Sequence, residues 1–320
     1  ILCLSIQCDD NTYYNLILIC VMTKHSFRVL ITERCNASCA NCFNSRYRTG
    51  REIDIPIFEK LCDYLALHKI NRLKIMGGEP TVHSQFEGII SISQQYFESI
   101  IIFTNAVNDR IKNIIPRKKD TIVYNSDFIN DNFDVSKLLL EGEGHRRLEI
   151  QISEDCLVDR IIAMLKTLKN TPTKYNLTLN CMENIFQNKI KLSEKWHHIT
   201  TYITHELNKD YNIDHHIPFC LSKLFDSESK CDMCNIECSG LIDSSLNLRY
   251  CNQHPQILCK LLQSNGEFIK FSTLMEYLKN EYNIKIELNK VLKCQNCHLF
   301  MNKCNGGCFV HKLVTNNNGH

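Results

Sequence analysis

The feature of this sequence that most constrains its fold is the alternation of short apolar runs with helical patterns between residue 26 and about residue 180. Amphipathic segments, most clearly Val158 to Leu168, separate most of the runs. Because repeated strand-then-helix units build a parallel sheet with right-handed crossovers, we predict an α/β fold with a partial (β/α)6 TIM-like barrel. Functional loops in such folds follow the carboxyl ends of the strands. The six predicted strands are 26–32, 72–76, 100–103, 121–124, 148–152 and 177–179.

Beyond about residue 206 the alternation fades and the chain becomes rich in cysteine. Ten of its nineteen cysteines lie there. We therefore predict a barrel over residues 22–205 and a smaller, cysteine-rich α+β domain over residues 206–320. Residues 1–21 are interpreted as an upstream extension or an artefact of a misplaced start, and no function is assigned to them.

Composition and charge narrow the classes of function. No stretch approaches the roughly 18 apolar residues of a membrane span, and no basic segment precedes an apolar one as in a signal peptide. We therefore expect a cytoplasmic protein with no membrane partner, in which clustered cysteines bind metal rather than form disulfides. The formal net charge of +2 is too balanced to indicate a nucleic-acid partner.

Three cysteines with a compact spacing follow the first predicted strand. They form Cys35-x3-Cys39-x2-Cys42, and Phe43 comes next. Three thiolates can hold three corners of a [4Fe–4S] cluster and leave one iron open, whereas full cysteine ligation needs four. A zinc site completed by a distant histidine and a redox-active thiol pair are the alternatives.

A second motif, Gly77-Gly78-Glu79-Pro80, ends the second predicted strand. Paired glycines let a ligand approach the backbone closely, and a carboxylate beside them can hold an ammonium group. A simple turn would explain the glycine pair if it stood alone. Because the two motifs lie on consecutive strand ends, we expect them to face each other in one site.

Together these motifs resemble the radical S-adenosylmethionine (radical SAM) enzymes, over residues 26 to about 182, with 104–106 after the third strand also similar. The resemblance implies a [4Fe–4S] cluster on the three cysteines, with its open iron chelated by S-adenosylmethionine. One electron then cleaves that cofactor to a 5'-deoxyadenosyl radical, which abstracts hydrogen from a substrate. The implied cofactor contacts are Phe43 near the adenine, Gly77, Gly78, Glu79 and Pro80 at the methionine end, and Asn125, Ser126 and Ser153 near the ribose.

The cysteine-rich segment resembles the SPASM extension of those enzymes, which carries auxiliary iron–sulfur clusters. The resemblance rests on Cys294-x2-Cys297-x6-Cys304-x3-Cys308 with Gly306-Gly307 inside the last spacing. Three departures are a longer gap before Cys304, Leu246 where a turn glycine is expected, and no cysteine after Cys308.

One or two auxiliary clusters are implied by this resemblance. Cys294, Cys297 and Cys304 would hold one, with His311 a candidate fourth ligand. The second would use Cys251 and Cys308 with two of Cys220, Cys231, Cys234 and Cys238. Zinc is the alternative, because Cys231-x2-Cys234 and Cys294-x2-Cys297 can form a ribbon-like site.

The resemblance implies a peptide-modifying enzyme, a maturase of a ribosomally made peptide. Its partners would be a peptide or small protein substrate and an electron donor such as flavodoxin or ferredoxin. Oxidation of a Cys or Ser, as in anaerobic sulfatase maturases, is the alternative reaction, and a zinc-stabilised binding module without redox activity is the alternative class. No catalytic residue is assigned.

Two further features are interpreted as structural. Cys62 lies on the apolar stripe of a predicted helix and is expected in the core. Arg46, Arg48 and Arg51 form a basic run after the cysteine loop. A solvated loop is the expected interpretation, and contact with an acidic substrate is the alternative.

Overall fold

A computed structural model describes residues 26–39, 42, 44, 48–125, 134–138, 141–179, 187–213, 238–249, 256–278 and 280. Its strands form one sheet in the order β10-β9-β8-β1-β2-β3-β4-β5-β6-β7. The first seven are β1 Ser26–Leu30, β2 Arg72–Met76, β3 Ser99–Thr104, β4 Thr121–Asn125, β5 His145–Ile152, β6 Lys174–Leu179 and β7 Tyr211–Ile213. The others are β8 Cys238–Ile242, β9 Asn247–Arg249 and β10 Ile257–Lys260.

The parallel part of the sheet confirms the predicted α/β fold. Strands β1 to β7 pair in parallel and in chain order. The six predicted runs coincide with β1 to β6, and β7 is an additional strand that the sequence did not indicate. It has only three residues, which is too short for a hydrophobic period to be recognised.

Four α-helices lie along the parallel strands: α1 Ile55–Leu67, α2 Phe86–Tyr96, α3 Val158–Thr167 and α4 Lys189–Thr201. Residues 271–278, after β10, are helical as well. Helix α1 has Pro56 in its first turn and buries the predicted stripe. Cys62 on this stripe is fully buried, as predicted, and burial raises the pKa of its thiol. Its place in the core explains it without a ligand role.

The connection from β3 to β4 differs from the predicted strand-then-helix unit. It contains a short 3-10 turn, Asp109–Asn113, instead of an α-helix. Asn108 caps this turn by accepting a hydrogen bond from the backbone N–H of Arg110 at 3.0 Å. Pro116 then disfavours helical geometry at Ile115, because its ring clashes with the preceding residue in the α conformation.

The C-terminal strands extend the same sheet beyond β1. Strand β8 pairs in parallel with β1, and β9 and β10 continue in antiparallel order. Leu246, in the β8–β9 turn, has a φ of 62°, the left-handed conformation for which glycine was expected. The division into domains 22–205 and 206–320 stays a prediction; β7, just past that boundary, pairs with β6.

The core lies mainly between the sheet and its helices. On the other face of the sheet, Leu30, Met76 and Leu241 form a smaller apolar cluster, with Phe103 packed against it. These residues lie near the carboxyl ends of β1, β2, β3 and β8, so they support the loops described below. None of the helices in the described parts of the chain is long and apolar enough to cross a bilayer.

Candidate cluster and cofactor site

The cysteine loop continues β1 along the end of β2, so the two motifs are direct neighbours. The backbone N–H of Gly78 donates to the Thr32 carbonyl at 2.8 Å, and that of Glu79 donates to the Arg34 carbonyl at 2.9 Å. The structure thus brings the cysteine loop and the glycine motif together at the carboxyl end of the sheet.

Both glycines are required by this close contact. A Cβ on Gly78 would lie 2.3 Å from the Arg34 carbonyl oxygen and 2.9 Å from the Cβ of Cys35. A Cβ on Gly77 would lie 2.9 Å from the Thr32 carbonyl oxygen. The sequence suggested that a ligand needs this space; on the Cβ side the backbone of the cysteine loop occupies it.

Among the described residues, Cys35, Cys39 and Cys42 form no disulfide, and all three are partly exposed. Within the described ranges, no three His, Cys, Asp or Glu side chains are placed to hold a single metal ion. A [4Fe–4S] cluster has no such requirement, because each thiolate binds a different iron. Three thiols on one partly exposed loop therefore fit the donor chemistry of a cluster with an open iron.

The arginine at position 48 contacts this loop directly. Its Nη2 lies 3.4 Å from the Cys42 Sγ, and its Nη1 donates to the Ala37 carbonyl at 2.9 Å. The solvated-loop interpretation is therefore wrong for Arg48, which is half-buried. Spacing alone could not reveal this contact, because no periodicity relates position 48 to the cysteines. Arg46 lies outside the described residues.

Glu79 is almost completely buried, with 1% of its surface exposed. Its Oε1 accepts hydrogen bonds from the Thr81 N–H (3.1 Å), the Thr81 hydroxyl (2.7 Å) and the Thr104 hydroxyl (2.8 Å), and its Oε2 accepts one from the Asn105 N–H (2.7 Å). Burial raises the pKa of this carboxyl, and the donors oppose the rise. Glu79 thus joins the ends of β2 and β3, and Oε2 keeps one lone pair for a further donor.

The segment after β3 is tied to the cysteine loop as well. The Asn105 side chain donates to the Asn36 Oδ1 at 2.8 Å. Ala106 has a φ of 55°, and the buried Lys137 ammonium holds this turn by donating to the carbonyls of Ala106 and Val107, each at 2.9 Å. The sequence indicates that residues 104–106 resemble the family, but it does not reveal the contacts of Asn36 and Lys137 with this segment. The one available signal was that Asn36 directly follows Cys35.

Asn44 connects the far side of the cysteine loop to the glycine motif. Its side-chain N–H donates to the Gly77 carbonyl at 2.7 Å, and the residue is buried. Its Oδ1 is buried with no partner among the described residues. No feature of the sequence marks Asn44 as a site residue, although it directly follows Phe43.

The predicted ribose contacts lie at the same end of the sheet where they are described. Asn125 ends β4, and Ser153 directly follows β5. The Ser153 carbonyl accepts a hydrogen bond from the Cys156 N–H at 3.3 Å. Pro80 begins a buried 3-10 turn, whereas Phe43 and Ser126 lie outside the described residues.

A second set of contacts joins the cysteine loop to the β8–β9 turn. The buried Glu33 carboxylate accepts hydrogen bonds from the Ser244 hydroxyl at 2.7 Å and from the backbone N–H of Thr49 at 3.1 Å. The Arg51 side chain donates to the Ser245 hydroxyl. The loop therefore contacts the C-terminal strands on one side and the glycine motif on the other.

Of the predicted auxiliary ligands, Cys238 is the first residue of β8. The remaining candidates lie outside the described residues: Cys220, Cys231, Cys234, Cys251, Cys294, Cys297, Cys304 and Cys308.

The part of the chain that carries the cysteine loop is similar to known iron–sulfur proteins. Residues 26–145 match the model of a 4Fe-4S single cluster domain. A stretch of 83 residues is 32% identical to a probable GTP 3',8-cyclase of Methanopyrus kandleri, and covers 26% of this chain. The match spans 27% of the length of that relative.

Solved structures share the fold over most of the chain. SuiB of Streptococcus suis bound to S-adenosylmethionine is 17% identical, with 96% of this chain and 80% of that chain covered and a TM-score of 0.57. Native anSMEcpe with bound AdoMet and the Kp18Cys peptide is 17% identical, with 88% of each chain covered and a TM-score of 0.57. SuiB bound to its precursor peptide SuiA is 14% identical, with 79% and 70% covered and a TM-score of 0.51. At these identities the likeness establishes the fold.

Proposed function

We propose that this chain is a radical SAM enzyme that modifies a peptide or small protein, as a maturase of a ribosomally made peptide. The resemblance to radical SAM enzymes that the two motifs predict is supported by the match of residues 26–145 to a 4Fe-4S family model, and the fold is shared with SuiB. The observation that carries the proposal is the hydrogen-bonded contact between the three-cysteine loop and the glycine motif at the carboxyl end of a parallel sheet.

Each residue of the site then has a defined task. Cys35, Cys39 and Cys42 hold the [4Fe–4S] cluster, and the glycine motif at 77–80 receives the methionine end of S-adenosylmethionine. When bound, the cluster supplies the electron that cleaves this cofactor. Glu79 keeps the ends of β2 and β3 together, and its free lone pair on Oε2 can accept from the cofactor ammonium. Phe43 at the adenine and Asn125, Ser126 and Ser153 at the ribose complete the proposed contacts.

A peptide substrate is supported by the fold likeness to two proteins solved with peptides. SuiB was solved with its precursor peptide, and anSMEcpe with the Kp18Cys peptide. Oxidation of a Cys or Ser side chain in a protein substrate, the alternative that the resemblance implies, is the second candidate reaction, and the likeness to a protein solved with the Kp18Cys peptide supports it. Mass analysis of peptides after turnover separates the two, since only the second candidate alters a single Cys or Ser without a cross-link.

We further propose one or two auxiliary iron–sulfur clusters on the C-terminal cysteines, a flavodoxin or ferredoxin as electron donor, and a cytoplasmic location. The many cysteines of the C-terminal segment support the auxiliary clusters and favour a reducing compartment, where thiols stay available for iron. Nucleic acids and membranes are not among the proposed partners.

Iron and acid-labile sulfide per chain after anaerobic purification test the proposal. We compare wild type, the C35A/C39A/C42A variant and, as a matched control, C156A, which removes a partly exposed cysteine outside the cluster loop. We expect the triple variant to lose about four iron, the content of one cluster, and C156A to lose none. The triple variant should also produce no deoxyadenosine. Zinc without sulfide in the wild type would contradict the proposal and favour a zinc-stabilised binding module.

A further inference from the structure

Arg48 closes the loop that carries the three cysteines. One nitrogen of its guanidinium donates to the Ala37 carbonyl, which lies between Cys35 and Cys39, and the other lies 3.4 Å from the Cys42 Sγ. The two terminal nitrogens of one planar guanidinium thus contact the loop at two points, Ala37 and Cys42. Because the side chain is half-buried, solvent screens these contacts less than it would on an open surface.

The charge of Arg48 acts on the whole set of thiols. Its guanidinium lies 3.4 Å from the Cys42 Sγ, and it interacts through its charge with Cys35 and Cys39 as well. A guanidinium keeps its charge at all accessible pH values. The loop therefore contains one permanent cation directed at the sulfur atoms that the proposed cluster would use.

A cation and a donor at a ligand sulfur favour the more negative redox state of an iron–sulfur cluster. Reduction adds one negative charge, so the attraction to a nearby fixed positive charge grows when the electron arrives. Hydrogen bonds to the ligating sulfurs are among the factors that set the potentials of such clusters. The protein thus places this stabilisation at Cys42, on the side of the loop nearest in sequence to Arg48.

We infer that Arg48 is a positioning residue of the cluster loop that raises the reduction potential of the cluster held by Cys35, Cys39 and Cys42. The inference rests on the proposed function, since it needs a cluster at these thiols. It goes beyond that function by assigning a task to a residue that belongs to neither motif. Arg51, three residues later, provides the contrast, because its side chain bonds Ser245 in the β8–β9 turn.

The test is a reductive titration of the full, cluster-loaded protein, followed by electron paramagnetic resonance. The signal of the first cluster is the difference between each protein and the same protein with C35A/C39A/C42A, which removes the contribution of other clusters. The variants are R48Q, which removes the charge, and R48K, which keeps the charge but loses the planar guanidinium that makes two contacts. R51Q is the matched control. Iron and sulfide are counted in every sample.

We expect the midpoint potential of R48Q to fall, with about a tenfold loss in the equilibrium constant for reduction, which equals about 59 mV for one electron. R48K should lie between R48Q and wild type, and R51Q should match wild type. An unchanged potential in cluster-loaded R48Q would overturn the inference. If R48Q does not retain the cluster, R48K decides: a lowered potential supports the inference, and a wild-type potential overturns it. Equal iron in wild type and the triple variant would instead overturn the proposed function.

Discussion

The cysteine loop has two flanks that are held in different ways. On the β2 flank, the backbone of residues 32–34 bonds the backbone of 78–79, and the glycines leave no room for a side chain on the side facing the loop. On the β8 flank, side chains make the links, through Glu33 with Ser244 and Arg51 with Ser245. Backbone contacts allow few adjustments, whereas side chains can rotate.

The pairing of β1 with its two neighbours shows the same difference. Strands β1 and β2 pair in an unbroken register from Ser26–Arg72 to Leu30–Met76. The pairing of β1 with β8 shifts between Phe27 and Arg28. The β2 flank therefore holds the candidate site in the register of the sheet, while the β8 flank combines a shifted ladder with side-chain contacts that can be removed one at a time.

The largest expected effect is on the β2 flank, from G78A. The new Cβ would overlap the Arg34 carbonyl oxygen at 2.3 Å, and backbone cannot move aside as a side chain can. We expect the free energy of unfolding to fall by about 2 to 3 kcal/mol, with loss of iron from the first cluster. The control is G88A in α2, where the nearest atom would lie at 3.5 Å and a gain of about 0.5 to 1 kcal/mol is expected. Equal iron in the two variants would contradict a rigid β2 flank.

The second prediction concerns the pH dependence of the β2 flank. Burial raises the pKa of Glu79 above its ordinary value of 4.5, so the folded chain binds its proton more tightly than the unfolded chain does. This contribution to stability is present below the unfolded pKa and decreases as pH rises through the folded pKa. We expect E79Q to remove that part of the pH dependence in denaturant titrations and to cost about 1 to 2 kcal/mol at neutral pH. If the unfolding free energy of E79Q depends on pH as that of the wild type does, the prediction that Glu79 contributes to this dependence is wrong.

On the β8 flank we expect a smaller effect from S244A. The Glu33 Oε1 would lose a donor at 2.7 Å while the carboxylate remains buried, which costs about 1 kcal/mol in unfolding free energy. A double-mutant cycle of S244A with E33Q measures the coupling of the pair. We expect wild-type iron at the first cluster, so iron loss as large as in G78A would show that the two flanks do not differ.

The smallest effect is expected from R51Q. Arg51 is exposed, and an exposed polar contact contributes little, so the unfolding free energy should change by less than about 0.5 kcal/mol. Chemical denaturation measures the change. If R51Q lowers the unfolding free energy as much as S244A does, the Arg51–Ser245 contact stabilises the β8 flank as much as the Glu33–Ser244 contact does.

Much of the fold and part of the site could be predicted from local patterns. The strands β1 to β6 were recognised because buried parallel strands are short apolar runs, and α1 because its stripe follows the helical period. The 3-10 turn between β3 and β4 could not be recognised in this way, because Asn108 and Pro116 act through backbone geometry, which leaves no trace in the hydrophobic periodicity.

Within the site, the two motifs were found because each needs particular residue types at close spacing. Arg48, Asn44 and Lys137 were missed or misread, because their hydrogen bonds reach atoms that are near only after folding. The Lys137 ammonium, for example, bonds the carbonyl of Ala106, 31 residues away in the chain. A polar side chain in a loop carries no sign of its distant partner.

The amino-acid sequence by itself determined the first six parallel strands and the presence of a three-thiol loop followed by a glycine motif at the end of the next strand, because these follow from periodicity and from residue chemistry over short distances. Only the tertiary structure decided that Gly78 makes room for the backbone of the loop, that Glu79 is buried between β2 and β3, and that the charge of Arg48 reaches the thiols. These depend on contacts between distant segments, which are fixed by how the whole sheet packs.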